Sequence, residues 1–238
     1  MSHPAEAPVP TNHLIDALPS RARASLMRQV SPVELLAGRV LCEQGQRYRD
    51  AYFPLTSRLS EVAGVAGHPL MQVSRIGSEG MLGATLLLGV ARAPLRVLVQ
   101  GSGSAWRLGA AQLRQELRGS PALRDALGRY LFLHVEQSAQ ATACARFHEV
   151  EPRLARCLLM VHDQAHADHF HLTHQILADM LGVQRSAVTL SAGSLQRAGL
   201  IRYSRGRIDI LSRRGLEDAA CGCYKADFAS SARSDPSG

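Results

Sequence analysis

The spacing of apolar residues changes along the chain near position 108. Between positions 32 and 108, short apolar segments alternate with Gly, Pro, Ser and Asp, and segments 96–99 and 104–108 are the clearest of them. Short apolar segments separated by turn residues are typical of antiparallel β structure. This part of the chain is therefore predicted to form a compact antiparallel barrel or sandwich.

Beyond position 108 the apolar residues recur at steps of three and four, the period of an amphipathic helix. A short helix is predicted over positions 110–118, and Ser120-Pro121 offers a cap and a first-turn proline for a much longer one. This long helix could pair with a second copy as a coiled coil, or pack against its own domain. Its apolar stripe contains Leu123, Leu127, Tyr130, Leu131, His134, Ala141 and Ala145.

A helix-turn-helix pattern occupies positions 172–190. Thr173 can cap the first helix, and Gly182 can supply the positive φ that the turn between the helices needs. Ile176, Leu177 and Met180 are predicted to form the buried face of the first helix. The residue types at the cap, the turn and the buried face each have a separate physical reason. The pattern therefore indicates a DNA-binding motif.

The second helix of this motif is predicted to bury Val188, Leu195 and Ala198. Side chains at its start would then project from other faces into a DNA major groove. Two alternating strands follow around a turn at Gly206, and they form a wing with a basic edge that can contact phosphates or a minor groove. The predicted DNA-contacting residues are Thr173, Gln184, Arg185, Ser186, Thr189, Arg202, Arg205 and Arg207.

The charge balance favours a polyanionic partner. The 238 residues include 27 basic and 20 acidic side chains, for a net charge of +7, and Lys225 is the only lysine among them. Arginine stays charged and presents a planar fork that suits phosphates and guanine edges. Apolar runs are too short to cross a bilayer, and the first residues do not resemble a secretory signal. We therefore expect a soluble, cytoplasmic protein.

Cysteines and histidines offer weaker signals. The five cysteines are an odd, scattered set, which predicts reduced thiols, and Cys221-Gly222-Cys223 is spaced more tightly than most zinc-binding pairs. His162 and His166 would share one helix face, which permits a metal, but no cysteine lies in the same segment. We therefore predict no metal site. The histidine cluster comprises His162, His166, His169, His171 and His174.

With these motifs the sequence resembles the Crp/Fnr family of bacterial transcription regulators. The resemblance covers roughly positions 14–224 and is sharpest over 170–174, 177–183 and 199–206. It implies an α+β fold with an N-terminal antiparallel β-roll like that of cyclic-nucleotide-binding domains, a long dimerisation helix and a C-terminal winged helix-turn-helix. The boundaries we predict are 14–119 for the sensor domain, 120–148 for the helix, 149–224 for the DNA-binding domain and 225–238 for a flexible tail.

The resemblance also locates an effector pocket, with a departure from the family. Members that bind cyclic AMP carry Gly-Glu-Leu-Gly followed by Arg-Ser or Arg-Ala, but here the cassette is Gly80-Met81-Leu82-Gly83, with Arg92 further on. Met81 cannot replace the carboxylate that accepts from the ribose hydroxyl, and an unpartnered buried hydroxyl costs ~1–3 kcal/mol. The effector is therefore predicted not to be cyclic AMP.

We predict a homodimeric transcription regulator that binds a palindromic operator on double-stranded DNA, with RNA polymerase as a further partner if it activates. No nucleophile, base and orienting residue form a credible catalytic set in the sequence, and the Gly101-Ser102-Gly103-Ser104 segment is not followed by the Gly-Lys-Ser/Thr of a phosphate loop. Neither enzymatic activity nor a cofactor is therefore expected. The alternative is a small-molecule or metal-binding sensor that acts through a protein partner. The exposed basic residues of the second helix and the wing favour the regulator, because only DNA binding requires them.

Overall fold

A computed structural model describes residues 10–68, 70–165 and 168–226. The chain forms two compact units. One contains the described residues up to Glu61 together with Arg75–Phe132, and the other contains Val62–Ser74 and the described residues from Leu133 onward. Most of the predicted tail, 225–238, and also His166 lie outside the described residues.

The N-terminal part of the chain begins with two helices and continues mainly as strands. The helices are α1 (His13–Asp16) and α2 (Ser20–Met27). The strands are β1 (Ser31–Leu35), β2 (Val40–Cys42), β3 (Asp50–Pro54), β4 (Arg58–Ala63), β5 (Met71–Ile76), β6 (Arg96–Gly101) and β7 (Gly103–Gly109). A 3-10 helix, Ala84–Leu88, lies between β5 and β6.

These strands form two sheets, in the orders β1-β7-β3 and β2-β6-β4-β5. Strand β7 pairs antiparallel with β1 and with β3, and β6 pairs antiparallel with β2. Alternate residues of β6 are buried, so that Val97 and Val99 point into the core. The prediction of antiparallel β structure is confirmed, and β6 and β7 contain the two segments that gave the clearest signal.

The link between β6 and β7 is a tight turn with no room for a side chain at Gly103. Its φ is 156°, and an added Cβ would lie 2.6 Å from the backbone nitrogen of Ser57. Because that neighbour is backbone rather than a flexible side chain, only glycine fits. Gly103 thus allows the tight turn between the two strands.

Two helices follow the sheets, α3 (Ala110–Gly119) and α4 (Pro121–Phe147). The Leu123 backbone N–H donates to Ser120 Oγ at 3.2 Å, which confirms the predicted cap. Leu123 and Leu127 are 1% and 0% exposed, and both belong to the core of the first unit. The coiled-coil expectation for these two leucines is therefore wrong. Periodicity identified an apolar face but not the surface that covers it.

The second unit contains the predicted winged helix-turn-helix. Its elements are α5 (Val150–Ala165), β8 (His169–His171), α6 (His174–Leu181), α7 (Arg185–Arg197), β9 (Ile201–Ser204), β10 (Arg207–Ile210) and α8 (Arg213–Ala219). The three strands form a sheet of order β8-β10-β9. Leu158, Leu177, Val188, Leu195 and Leu216 are among the buried residues of one core that joins these helices to the sheet. None of the helices among the described residues could span a membrane.

Candidate nucleic-acid interface

The turn between α6 and α7 fixes the angle at which the two helices meet. The Ile176 backbone N–H donates to the Thr173 hydroxyl at 3.2 Å, so Thr173 caps α6 as predicted. Gly182 ends α6 with a φ of 64°, and an added Cβ would lie 2.5 Å from Met71 Cγ. Glycine is therefore required there both for its backbone conformation and for its lack of volume.

Helix α7 has one buried face and one exposed face at its N-terminus. Val188 and Leu195 are 0% and 1% exposed, and they hold the helix against the core. Since the first turn leaves backbone N–H groups without helical partners, it is also an electropositive end that attracts phosphate. The predicted DNA-contacting residues of this turn, Gln184, Arg185, Ser186 and Thr189, are all exposed.

Two details of the helix faces differ from prediction. Ile176 is 39% exposed, and the buried residues of α6 are Leu177, Ala178 and Leu181. Ala198 is exposed, because it is the C-cap that ends α7 rather than a residue of its buried stripe. The buried face of α6 is thus rotated toward Ala178, whose small side chain lets the neighbouring elements approach closely.

A small polar and aromatic cluster supports the first turn of α7. The Thr189 hydroxyl donates to the Arg185 carbonyl at 3.0 Å, and His174 Nδ1 lies 2.9 Å from the same hydroxyl. The ring of His174 stacks on Tyr203 with the centroids 4.0 Å apart. Burial, together with the nearby charge of Arg185, lowers the pKa of His174. A neutral His174 that donates from Nδ1 therefore holds Thr189 in place.

The wing is a two-residue hairpin with arginine at its tip. Ser204 pairs with Arg207, and the two residues between them, Arg205 and Gly206, have φ values of 49° and 82°. Positive φ at both positions is the geometry of a type I′ turn, which matches the twist of the flanking strands. The Leu172 N–H donates to the Gly206 carbonyl at 2.8 Å, which ties the wing to the start of α6.

The wing arginines Arg202, Arg205 and Arg207 are exposed, as predicted. They differ in their partners, because Arg207 Nε donates to Asp209 Oδ1 at 2.8 Å. That carboxylate offsets part of the charge that Arg207 presents to a polyanion. Beside it, Gln196 Oε1 accepts from the Tyr203 N–H at 2.8 Å and connects α7 to β9. The Gln196 side chain thus links α7 to the wing.

The residues predicted to form an effector pocket lie in the other unit. Met81 and Leu82 are each 1% exposed and belong to its apolar core. An added Cβ on Gly80 would lie 2.3 Å from the Tyr130 ring, and Gly83 has a φ of 96° before the 3-10 helix. Arg92 is exposed and donates from Nη1 to the Gly45 carbonyl at 2.7 Å. Residues 80–83 are thus packed against the apolar core of the first unit.

The predicted histidine cluster separates into different surroundings. His162 contacts Asp168 Oδ1 at 2.8 Å through Nε2, and its Nδ1 lies 2.7 Å from Arg213 Nη1. Arg213 also donates to Asp163 at 2.6 Å, so His162 belongs to a charged network. His169 and His171 are exposed on β8, and His174 lies against Tyr203.

Sequence reasoning missed a different group of side chains in the same unit. Cys144, His148, Cys221 and Cys223 bring their sulfur and ring nitrogen atoms together. The spacing of Cys221-Gly222-Cys223 drew attention to one half, but the other half lies 77 positions away along the chain. The sequence signal for the other half is the four-residue spacing of Cys144 and His148, which places both on one side of a helical turn.

One protein-family model matches part of the second unit. Residues 152–219 match the family model of the Crp-like helix-turn-helix domain. No curated protein sequence matches the chain.

Solved structures share the fold at low sequence identity. A Crp/Fnr family transcriptional regulator from Thermus thermophilus is 22% identical, and the match covers 80% of this chain and 98% of that one with a TM-score of 0.67. The c-di-GMP responsive global regulator CLP of Xanthomonas campestris is 14% identical over 82% of this chain and 100% of that one, with a TM-score of 0.69. FixK2 from Bradyrhizobium japonicum is 12% identical over 81% and 98%, also with a TM-score of 0.69.

Proposed function

We propose that this protein, which carries a Crp-like helix-turn-helix domain at residues 152–219 and has the fold of Crp/Fnr regulators, is a sequence-specific DNA-binding transcription regulator. The observation that carries this proposal is a set of exposed polar and basic side chains on two elements that share one packed core. Arg185 and Ser186 begin an anchored helix, and Arg205 lies at the tip of a hairpin bonded to the lead into that motif. Such an arrangement suits base edges and phosphates together.

The two elements have different proposed tasks. Arg185 begins α7, and its long planar fork suits the O6 and N7 acceptors of a guanine in the major groove. Arg202, Arg205 and Arg207 project from the wing, where contact with phosphates is the expected role. Thr173 and Gln184 flank the motif at the caps of α6 and α7 and complete the proposed contact set. Base preference would thus come from α7, and salt-dependent affinity from the wing.

We propose that the protein acts as a homodimer, and we assign the contact to a different face of α4 from the one first expected. Phe132 and Val135 are 70% and 66% exposed, although both are large and apolar. With the exposed Gly128, Ala139 and Thr142 they follow alternating steps of four and three, the spacing of a coiled-coil seam. Two copies joined along this face would present two recognition helices to a palindromic site.

The first unit is proposed to be a sensor domain that does not respond to cyclic AMP. Met81 is buried among apolar side chains, and thioether sulfur is a weak acceptor that cannot replace a carboxylate at a ribose hydroxyl. Arg92 is engaged with the Gly45 carbonyl. The proposed division of the chain is a sensor at 14–119, a dimerisation helix at 120–148 and a DNA-binding domain at 149–224. If the protein activates transcription, RNA polymerase is its protein partner.

Selection of bound sequences from random duplex DNA tests this proposal. We expect the full-length protein to enrich two inverted half-sites whose centres lie about one helical turn apart. The competing function, a sensor that acts through a protein partner without binding DNA, predicts that no sequence is enriched. Enrichment of a single half-site without its inverted repeat would contradict the dimer while leaving DNA recognition in place.

A further inference from the structure

Four potential metal ligands converge in the second unit from two distant parts of the chain. Cys144 lies near the end of α4, and His148 follows four residues later, so that one helical turn carries both toward the same side. Cys221 and Cys223 follow α8 with one residue between them. Among the residues described, the ligand atoms of these four side chains all lie within 4.8 Å of one another.

Two of the distances between these atoms fit the edges of a tetrahedron around one ion. Zinc bonds of about 2.3 Å to sulfur and 2.0–2.1 Å to nitrogen give edges of roughly 3.8 Å between two sulfurs and 3.5 Å between sulfur and nitrogen. Here Cys144 Sγ and Cys221 Sγ are 3.6 Å apart, and Cys223 Sγ is 3.5 Å from His148 Nδ1. A disulfide would need sulfurs at about 2.05 Å.

Two further side chains donate hydrogen bonds to the sulfurs from outside the cluster. Gln140 Nε2 donates to Cys223 Sγ at 2.9 Å, and Arg156 Nη1 donates to Cys144 Sγ at 3.3 Å. Donors of this kind stabilise thiolates and orient metal ligands. Three thiolates and a neutral imidazole around a dication would carry one net negative charge, which the Arg156 guanidinium offsets. The surroundings therefore match a charged metal–thiolate centre.

Three of the four ligands are buried, and His148 is more exposed. Cys144, Cys221 and Cys223 are 2%, 7% and 4% exposed, and they form an apolar cluster of their own. Three buried cysteines beside a histidine ring are an unusual way to fill a core, since apolar residues would do so without polar groups.

We propose that Cys144, His148, Cys221 and Cys223 bind one Zn²⁺ ion in a closed tetrahedral site. Thiolate sulfur and imidazole nitrogen are ligands that zinc prefers, and four protein ligands leave no open position for a substrate. The site is structural. An iron–sulfur cluster divides its cysteines between separate irons and spreads them more widely than one ion does. The convergence of all four ligand atoms favours a single ion.

The ion would fasten the end of α4 to the segment that follows α8 within the second unit. The segment after α8 is already held to α5, because the Cys221 N–H donates a hydrogen bond to the Pro152 carbonyl at 3.3 Å in the first turn of that helix. Zinc adds a cross-link between residues 77 positions apart, which constrains the unfolded chain as well as the native one. The winged domain is therefore expected to gain stability when zinc is bound.

Metal analysis of the full-length protein, purified under reducing conditions, tests the site. We expect about one zinc ion per chain in the unaltered protein, and almost none in Cys144→Ser or Cys223→Ser. Cys42→Ser is the matched control, because Cys42 is also buried but belongs to the other unit, and it should retain full zinc. Co²⁺ added to chelator-treated protein should give thiolate charge-transfer and tetrahedral visible bands that Zn²⁺ then abolishes.

A milder variant protects the test against loss of the fold. Gln140→Ala keeps all four ligands and should lower zinc affinity roughly 10–100-fold while circular dichroism stays unchanged. The proposal is overturned if the reduced, unaltered protein takes up neither Zn²⁺ nor Co²⁺. Equal zinc in Cys144→Ser and Cys42→Ser would also overturn it, as would iron–sulfur absorption bands that depend on these cysteines. None of these readouts involves DNA, so they are independent of the proposed function.

Discussion

Replacing Arg185 by alanine tests whether α7 reads bases. Arg185 is exposed at the first position of α7, so the change should remove a DNA contact without opening a cavity. Alanine has the highest helix propensity, and the buried anchors Val188 and Leu195 are untouched. The folded structure should therefore persist, and any loss of binding can be assigned to the missing guanidinium.

The expected magnitude follows from one bidentate contact in each half-site. An arginine–guanine pair is worth about 1–3 kcal/mol of discrimination, which corresponds to roughly 5–150-fold in affinity. A dimer uses Arg185 twice, so the total loss on a palindrome should approach the square of the factor for one half-site. Binding to scrambled duplex DNA should weaken much less, because phosphate contacts provide most of that affinity.

Fluorescence anisotropy across a salt series, on the selected operator and on scrambled DNA, measures both quantities. Arg197→Ala is the matched control, because Arg197 is exposed at the far end of the same helix. It should change binding far less than Arg185→Ala. Arg185→Ala should also relax the preference at one base pair of each half-site while the other positions keep theirs.

The wing provides the contrasting result in the same assay. Arg205→Asn preserves the positive φ of the turn, because asparagine tolerates that conformation, and should weaken binding to both duplexes. The slope of log affinity against log salt should flatten by about 0.9 for each phosphate that the wing no longer neutralises. Arg207→Ala should act in the same direction but less, since Asp209 already offsets its charge. If Arg185→Ala weakens both duplexes equally while wing variants alter base preference, the two assignments are reversed.

Three further experiments test the dimer face, the absence of cyclic AMP binding and the role of His174. Phe132→Asp should convert the proposed dimer to a folded monomer in analytical ultracentrifugation. Leu127→Asp should instead unfold the first unit, because Leu127 is 0% exposed. A Phe132→Asp variant that is folded and still dimeric would exclude the proposed face. Cyclic AMP should give no heat in titration calorimetry, and micromolar binding that Arg92→Ala abolishes would show that the buried Met81 does not block the site. The pKa of His174 is lowered in the folded state, so the unfolded chain binds more protons and the free energy of unfolding should fall as the pH drops below about 6.5. Denaturant titrations at pH 7.5 and 5.5 should show a smaller fall for His174→Gln. The same pH dependence in the variant and the unaltered protein would contradict this prediction.

The winged helix-turn-helix was predictable because its signals are local. Thr173 caps a helix that begins at the next residue, and Gly182 and Gly206 take positive φ values that their positions in the turns require. Each of these features depends on residues only a few positions away. The exposure of Arg185 followed from the same logic, because a helix that buries Val188 must present other side chains to solvent.

Features that depend on distant partners could not be predicted in the same way. The stripe containing Leu123 and Leu127 was visible, but periodicity does not say whether a second copy or the chain's own sheets cover it. Cys144 and Cys221 are 77 positions apart, and their convergence depends on how α4, α5 and α8 pack. That Met81 cannot replace a carboxylate stays a prediction, and its burial in the apolar core depends on contacts that the sequence does not show.

The ratio of specific to non-specific affinity tests the central claim most directly. Equilibrium binding of the full-length protein to the selected palindrome and to scrambled duplex DNA should be compared at one physiological salt concentration. We predict that the palindrome binds at least about 10³-fold more tightly, as is usual for sequence-specific regulators, and that destroying one half-site removes most of this preference. Equal affinity for both duplexes would mean that the arginines form only a basic surface, and would contradict the assignment of this protein as a sequence-specific regulator.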